Sequence, residues 1–202
     1  MSIASYGMSQ FSHPRGALGH LAGYIMGRRR SNLERNDWVE SLLEIGPADR
    51  ILEIGFGPGV AVGKAASKAA EVVGIDRSAV MVKQATRRNK EWIASGKLKL
   101  MLGSAETLPA GLGLFDKIYS VNVAQFWKEP AAVFQRLGEL LKPGGVLLTA
   151  YMPRNAGAKD EDAVEKGKQF ESRLREAGFR QIRTEMRKMK PVAVVALLAS
   201  LS

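Results

Sequence analysis

The chain has 202 residues, 46% hydrophobic and 25% charged, with a formal net charge of +10. That composition describes one folded domain with a full core and excludes disordered and fibrous classes. There is no cysteine, which excludes disulfide scaffolds, thiolate metal sites and every mechanism that needs a thiol nucleophile.

The positive balance favours anionic partners: nucleic acid, an acidic membrane surface or a negatively charged small molecule. Basic residues gather at Arg28 to Arg30, Arg87 to Lys90 and Arg173 to Lys190, with Glu34, Glu176 and Glu185 in or beside the outer clusters. No stretch approaches the ~20 apolar residues of a membrane-spanning helix. The first acidic residue is Glu34, so the N-terminus is basic and acid-free, as transit peptides are. Pro14 and scattered glycines interrupt any long amphipathic helix there, and a cytoplasmic chain is expected.

In chain order, Ser31 with Glu34 forms a capping-box pattern ahead of Leu33, Val39, Leu42 and Leu43, and Gly46-Pro47 stops that helix. Arg50 to Ile54 is a β-prone run that breaks into glycines at Gly55. Val60 to Ala70 reads as a small-residue helix and Val72 to Ile75 as a strand. Ser78 caps one helix through about Ala94, with Met81, Ala85 and Trp92 on a single face. Strands follow at Leu98 to Leu102 and Lys117 to Val123. Pro130 opens a helix whose inner face is Val133, Phe134, Leu137, Leu140 and Leu141, ended by Pro143-Gly144-Gly145. Val146 to Tyr151 is an apolar strand. A charged helix buries Phe170, Leu174 and Ala177 and stops at Gly178. Gln181 to Met189 and Val192 to Ala199 close the chain as two strands joined at Lys190-Pro191. The alternation predicts an α/β doubly wound sheet with helices on both faces. The last two strands have no room for a crossover helix, so they must pair antiparallel or separate.

The most informative segment is Ile51-Leu52-Glu53-Ile54-Gly55-Phe56-Gly57-Pro58-Gly59. A strand that ends in alternate glycines and then a helix lets backbone approach a ligand at the sheet's C-terminal edge. Asp76 ends the next strand, where an acid can hold both hydroxyls of a ribose. A dinucleotide fingerprint would need glycine at position 60, where Val60 stands. Glu53 would repel a phosphate and suits a ligand with an amino group. The residues favour a nucleoside carrying positive charge.

Glu53-x-Gly55-x-Gly57-x-Gly59 with Asp76 resembles the first two motifs of class I S-adenosylmethionine-dependent methyltransferases. Similar blocks follow in the same order: Gly103-Ser104-Ala105-Glu106-Thr107-Leu108-Pro109, Phe115-Asp116-Lys117-Ile118 and Leu141-Lys142-Pro143-Gly144-Gly145. The match covers about residues 31 to 199. It implies a Rossmann-like, seven-stranded sheet, mostly parallel, with an antiparallel last strand. It also implies one methyltransferase domain, with 1–45 as a lid segment and 46–202 as the core. S-Adenosylmethionine is the implied cofactor and S-adenosylhomocysteine the product. Glu53, Gly55, Phe56, Gly57 and Gly59 would hold its methionine end, Asp76 its ribose, and Arg77, Met81 and the Ala105 amide its adenine. Where the family usually has an aspartate before that alanine, this chain has Ser104, and Glu106 is placed to compensate.

Methyl transfer from a sulfonium is a direct displacement, in which positioning supplies most of the catalysis and a base is needed only if the nucleophile must lose a proton. The candidate bases are His13, His20 and Tyr24, in the lid segment. Asn122 is a candidate polar contact with cofactor or acceptor, and Phe126 and Trp127 are candidates to line the acceptor pocket. Asn122-Val123-Ala124-Gln125 differs from the box of enzymes that methylate exocyclic base amines. No acid lies between Asp116 and Glu129 to build a catechol-type metal site, so no metal is expected. A small-molecule acceptor methylated on oxygen, nitrogen or sulfur is the leading reading. The alternative is a phospholipid acceptor at an anionic membrane, contacted by Arg28 to Arg30 beside Leu18, Leu21, Tyr24, Ile25 and Met26. A non-catalytic cofactor- or RNA-binding module ranks last, and nucleic acid is not the expected partner.

Overall fold

The structure is a computed structural model that describes residues 30–202. Seven strands form one sheet: β1 (Arg50–Ile54), β2 (Glu71–Asp76), β3 (Leu98–Leu102), β4 (Phe115–Val121), β5 (Leu141–Tyr151), β6 (Gln181–Arg187) and β7 (Val194–Ser200), in the order β3-β2-β1-β4-β5-β7-β6. Strands β1 to β5 are parallel, whereas β7 is antiparallel to both β5 and β6. The sheet order reverses between β1 and β4, and the crevice of such a fold opens at that point.

The helices are α1 (Arg30–Leu43), α2 (Val60–Lys68), α3 (Ala79–Arg88), α4 (Lys90–Ala94), α5 (Pro130–Gly138) and α6 (Asp160–Glu176). Alternate residues of each strand face opposite layers. Ile51, Val72, Tyr119 and Leu148 join Trp38, Val39, Leu43, Val62 and Ala66 from α1 and α2. Leu52, Val73, Ile118 and Leu147 join Phe134, Leu137, Phe170 and Leu174 from α5 and α6. Both faces are therefore covered, as the apolar strand sequences require. At the other end of the strands, charges alternate across neighbours: Lys99 and Arg50 both bind Glu71, and Asp116 accepts from the Arg50 amide and from Lys142. This stitching fixes the strand starts and leaves the C-terminal edge to the site.

Three expectations change. Ser31 lies inside α1 and not at its cap: its Oγ accepts from Arg154, while Glu34 pairs with Arg30 one turn back. The helix expected from Ser78 to Ala94 breaks at Asn89, whose side-chain amide donates to the carbonyls of Gly59 and Ala85. The helix expected to run to Leu141 stops at Gly138, because Leu141 pairs with Phe115. Pairing then resumes at Lys117 with Val146, so Pro143-Gly144-Gly145 is an irregularity within β5. Strand ends also shift by up to two residues, with β4 starting at Phe115 and β6 ending at Arg187.

Candidate active site

The turn after β1 has three left-handed glycines, Gly55, Gly57 and Gly59 at φ +75°, +55° and +80°. They do different things. A Cβ on Gly55 would lie 2.3 Å from a methyl of Val123, and one on Gly59 would lie 2.4 Å from the Cβ of Ala85. Those two are required by packing. A Cβ on Gly57 would meet nothing within 4 Å, so the space beside this glycine is open. Phe56 turns its ring inward against Gly74 of β2, and only its backbone belongs to the turn.

Asp76, at the end of β2, faces the turn. Its Oδ2 accepts from the Gly57 amide and its Oδ1 from the Ser78 amide, both at 2.8 Å. Burial raises its pKa, against the lowering effect of those two amides. Each carboxylate oxygen retains a lone pair for a further donor such as a ribose hydroxyl. Ser78 also caps α3, which places Met81 in the interior at 2% exposure.

Glu53 is buried beside Tyr119, its register partner on β4, and accepts a 2.5 Å bond from the tyrosine hydroxyl. Desolvation pushes the carboxyl up to about 8; the Tyr119 bond opposes this, and Glu40 and Asp76 add to it. The same burial raises Tyr119 well above its ordinary value. A buried acid held partly protonated is poised to accept a cationic group, since an ammonium beside it would restore the charged form.

On the far side, the Ser104 hydroxyl accepts from the Glu106 amide at 3.0 Å and donates to Glu106 Oε2 at 3.3 Å. Glu106 Oε1 in turn accepts from the Lys128 amide, and Arg136 donates to the carbonyls of Ala105 and Glu106. Ser104 and Glu106 thus act as one polar unit. Phe126 is 45% exposed, and the Arg77 guanidinium lies 5.5 Å from its ring centroid. Trp127 points the other way, packed edge-on against Phe134 in the core. Asn122 has φ +56° and uses both ends of its amide on the backbone of Met152, which ties the end of β4 to the end of β5.

The fold therefore brings Glu53, Gly57, Asp76, Ser104, Glu106, Arg77 and Phe126 to the C-terminal ends of β1 to β4. His13, His20, Tyr24 and the Arg28 to Arg30 cluster's first two residues lie outside the described residues. Tyr119, Asn89 and Arg136 had no signal in the sequence, because each acts through a neighbour that is distant along the chain. Among the described residues no cluster of three or more His, Asp or Glu is arranged to hold a metal, and no helix is long and apolar enough to cross a membrane.

A sheet in the order 3-2-1-4-5-7-6, with a glycine turn and a strand-end acid at its switch point, defines a class of protein: a Rossmann-like α/β domain. Residues 52–149 match the family described as methyltransferase domain. The chain is 34% identical over 181 residues to the uncharacterized methyltransferase YdaC of Bacillus subtilis, covering 89% of this chain and 97% of that one. It is 30% identical over 132 residues to the erythromycin 3''-O-methyltransferase of Saccharopolyspora erythraea, covering 64% of this chain and only 43% of that enzyme. The N-methyltransferase NodS from Bradyrhizobium japonicum, solved with S-adenosylhomocysteine, superposes with a TM-score of 0.70 at 17% identity, covering 85% and 88% of the two chains. The chain belongs to the class I S-adenosylmethionine-dependent methyltransferases, and S-adenosylmethionine is its cofactor.

Proposed function

We propose that this methyltransferase passes its methyl group to an oxygen, nitrogen or sulfur atom of a small molecule. The observation that carries the reading is the pairing of an open cradle at Gly57 with an exposed aromatic, Phe126, across the same edge of the sheet. The O-methyltransferase activity in the name of the Saccharopolyspora relative supports an oxygen acceptor.

Bound S-adenosylmethionine supplies a methyl group on a sulfonium sulfur. Around it, Asp76 holds the ribose hydroxyls, with its carboxylate fixed by the Gly57 and Ser78 amides. Glu53 takes the ammonium of the methionine end, with Tyr119 holding the carboxyl in place. The Ser104–Glu106 pair and the Ala105 amide meet the adenine edge, and Glu106 supplies the charge that Ser104 lacks. Arg77, at the start of the segment that leads into α3, would border the adenine, with Met81 packed beneath it in the core. Phe126 presents a flat apolar face to the acceptor, held in orientation by Arg77. Excluding water and aligning nucleophile, methyl and sulfur is the main catalytic work of such a site.

The test is calorimetric titration with S-adenosylhomocysteine, then a screen of small hydroxylated, amino and thiol acceptors with isotopically labelled methyl donor. Replacing Asp76 with Ala should weaken cofactor binding by about 2–3 kcal/mol, the scale of hydrogen bonds to a charged group. An unchanged dissociation constant would remove Asp76 from the ribose site. Transfer to acidic lipid vesicles alone, with no soluble acceptor used, would overturn the small-molecule reading.

A further inference from the structure

The sheet ends at β6, which pairs with β7 along one side and has no neighbour among the described residues along the other. An edge strand presents a row of backbone donors and acceptors ready to pair with another strand. Five of the seven residues of β6 are exposed, and Ile182 and Glu185 are half-buried. Helix α6 lies mainly over β7, and among the described residues nothing pairs with the outer side of β6.

We propose that this edge binds a second copy of the chain, its own β6 running antiparallel and centred on Thr184. The argument comes from register. A two-fold axis normal to the sheet must pass through a residue, because outward-pointing backbone groups alternate along each strand and must face one another. Only three central positions keep most of the strand paired. Centring on Arg183 sets that arginine against its own copy. Centring on Glu185 sets two carboxylates against each other and Arg183 against Arg187 of the second copy. Like charges directly opposite destabilise a pair, whereas opposite charges stabilise it.

Centring on Thr184 removes these clashes within the strand. Arg183 then meets Glu185 of the second copy, and the symmetry supplies that pair twice. On the other face, half-buried Ile182 meets Met186 of the second copy, covering a side chain that is 46% exposed in the single chain. Thr184 meets itself, and Gln181 meets Arg187. Arg183 and Glu185 already lie on one face, with an ion pair of 3.5 Å between them, so exchange to cross-strand partners needs no backbone change. The contact is isologous and closes at two copies. Arg180 and Lys188 stand just outside the strand and would oppose each other as like charges, which confines pairing to these seven residues. An interface of that size is small beside the ~1,600 Å² of a standard stable complex, so the dimer is weak and concentration-dependent.

The experiment is sedimentation of the full chain up to millimolar concentration. The expected result is a reversible monomer–dimer equilibrium. Glu185→Arg weakens it more than tenfold, and the charge exchange Arg183→Glu with Glu185→Arg restores it to within a few-fold. Because the chain has no cysteine, Thr184→Cys gives a single thiol that oxidation cross-links to its own copy, whereas Gln181→Cys does not cross-link. Unchanged S-adenosylhomocysteine binding reports that each variant is folded, since β6 is remote from the cleft. A monomer at every concentration, Glu185→Arg dimerising like the parent, or cross-linking through position 181 and not 184 would each overturn the proposal.

Discussion

At the scale of single residues, the glycine turn separates two reasons for having no side chain. Gly55 and Gly59 are glycines because Val123 and Ala85 occupy the space a Cβ would need. Gly57 has open space where a Cβ would stand, so its left-handed backbone and not packing calls for glycine. An alanine in left-handed backbone costs about 1–2 kcal/mol whatever its surroundings. Gly57→Ala is therefore expected to lower stability by that amount and to remove S-adenosylhomocysteine binding, because the methyl fills the cradle. Gly55→Ala carries the same strain plus a methyl brought to 2.3 Å from a Val123 methyl, and should lose several times more stability. Chemical denaturation and calorimetry on the two variants check this together. Binding retained by Gly57→Ala would show that the cofactor does not approach there.

At the scale of elements, the break between α3 and α4 is what holds the turn in place. Asn89 is 5% exposed, and its amide reaches the carbonyls of Gly59 and Ala85 at 2.8 and 2.9 Å. Gly63 of α2 leaves room for it, since a Cβ there would sit 2.2 Å from Asn89 Oδ1. One side chain thus locks the start of α2, the end of α3 and the glycine turn. Asn89→Ala would remove both side-chain bonds, taking a buried donor from the Gly59 carbonyl and leaving the Ala85 carbonyl only the backbone amide of residue 89, at about 1–3 kcal/mol of stability. Cofactor affinity should fall with it, although Asn89 does not face the cleft. Equilibrium unfolding paired with S-adenosylhomocysteine titration reads both effects, and a variant as stable as the parent would show the bonds to be dispensable.

At the scale of the whole molecule, the buried acids tie stability and binding to pH. Burial lifts the carboxyl of Glu53 from 4.5 to about 8 in the fold and raises Glu40 and Asp76 as well. Between those two values the folded chain binds more protons than the unfolded chain, so stability falls as pH rises and levels off above about 8. Glu71 and Asp116 are lowered and act oppositely, losing their contribution only at acid pH. Glu53→Gln keeps an acceptor for Tyr119 and abolishes the titration. Its thermal midpoint should decline less than the parent's across the same range. The parent's affinity for S-adenosylhomocysteine should rise toward pH 8 with proton release, and the variant's should be weaker and flat. Parallel profiles for the two proteins would refute the assignment.

Much of this was legible in the chain. Gly55 to Gly59 and Asp76 were legible as a glycine turn and a strand-end acid because both depend on residues local to a strand end, where backbone conformation and residue type are tightly coupled. The seven strands followed from apolar runs punctuated by glycine and proline, for the same reason. The sequence could not show that Glu53 shares a hydroxyl with Tyr119, or that Asn89 breaks a helix to hold Gly59. It likewise could not show that Asn122 is engaged by Met152, or that Phe126 faces outward while Trp127 turns inward. Each of these depends on strand register or on contacts between residues far apart in the chain. A local pattern carries no information about which distant side chain will arrive to complete a hydrogen bond. Sequence by itself determined the fold class and the cofactor. Tertiary structure alone decided which glycine has open space beside it, which acid is buried and which aromatic faces outward, because those choices are made by packing across the sheet.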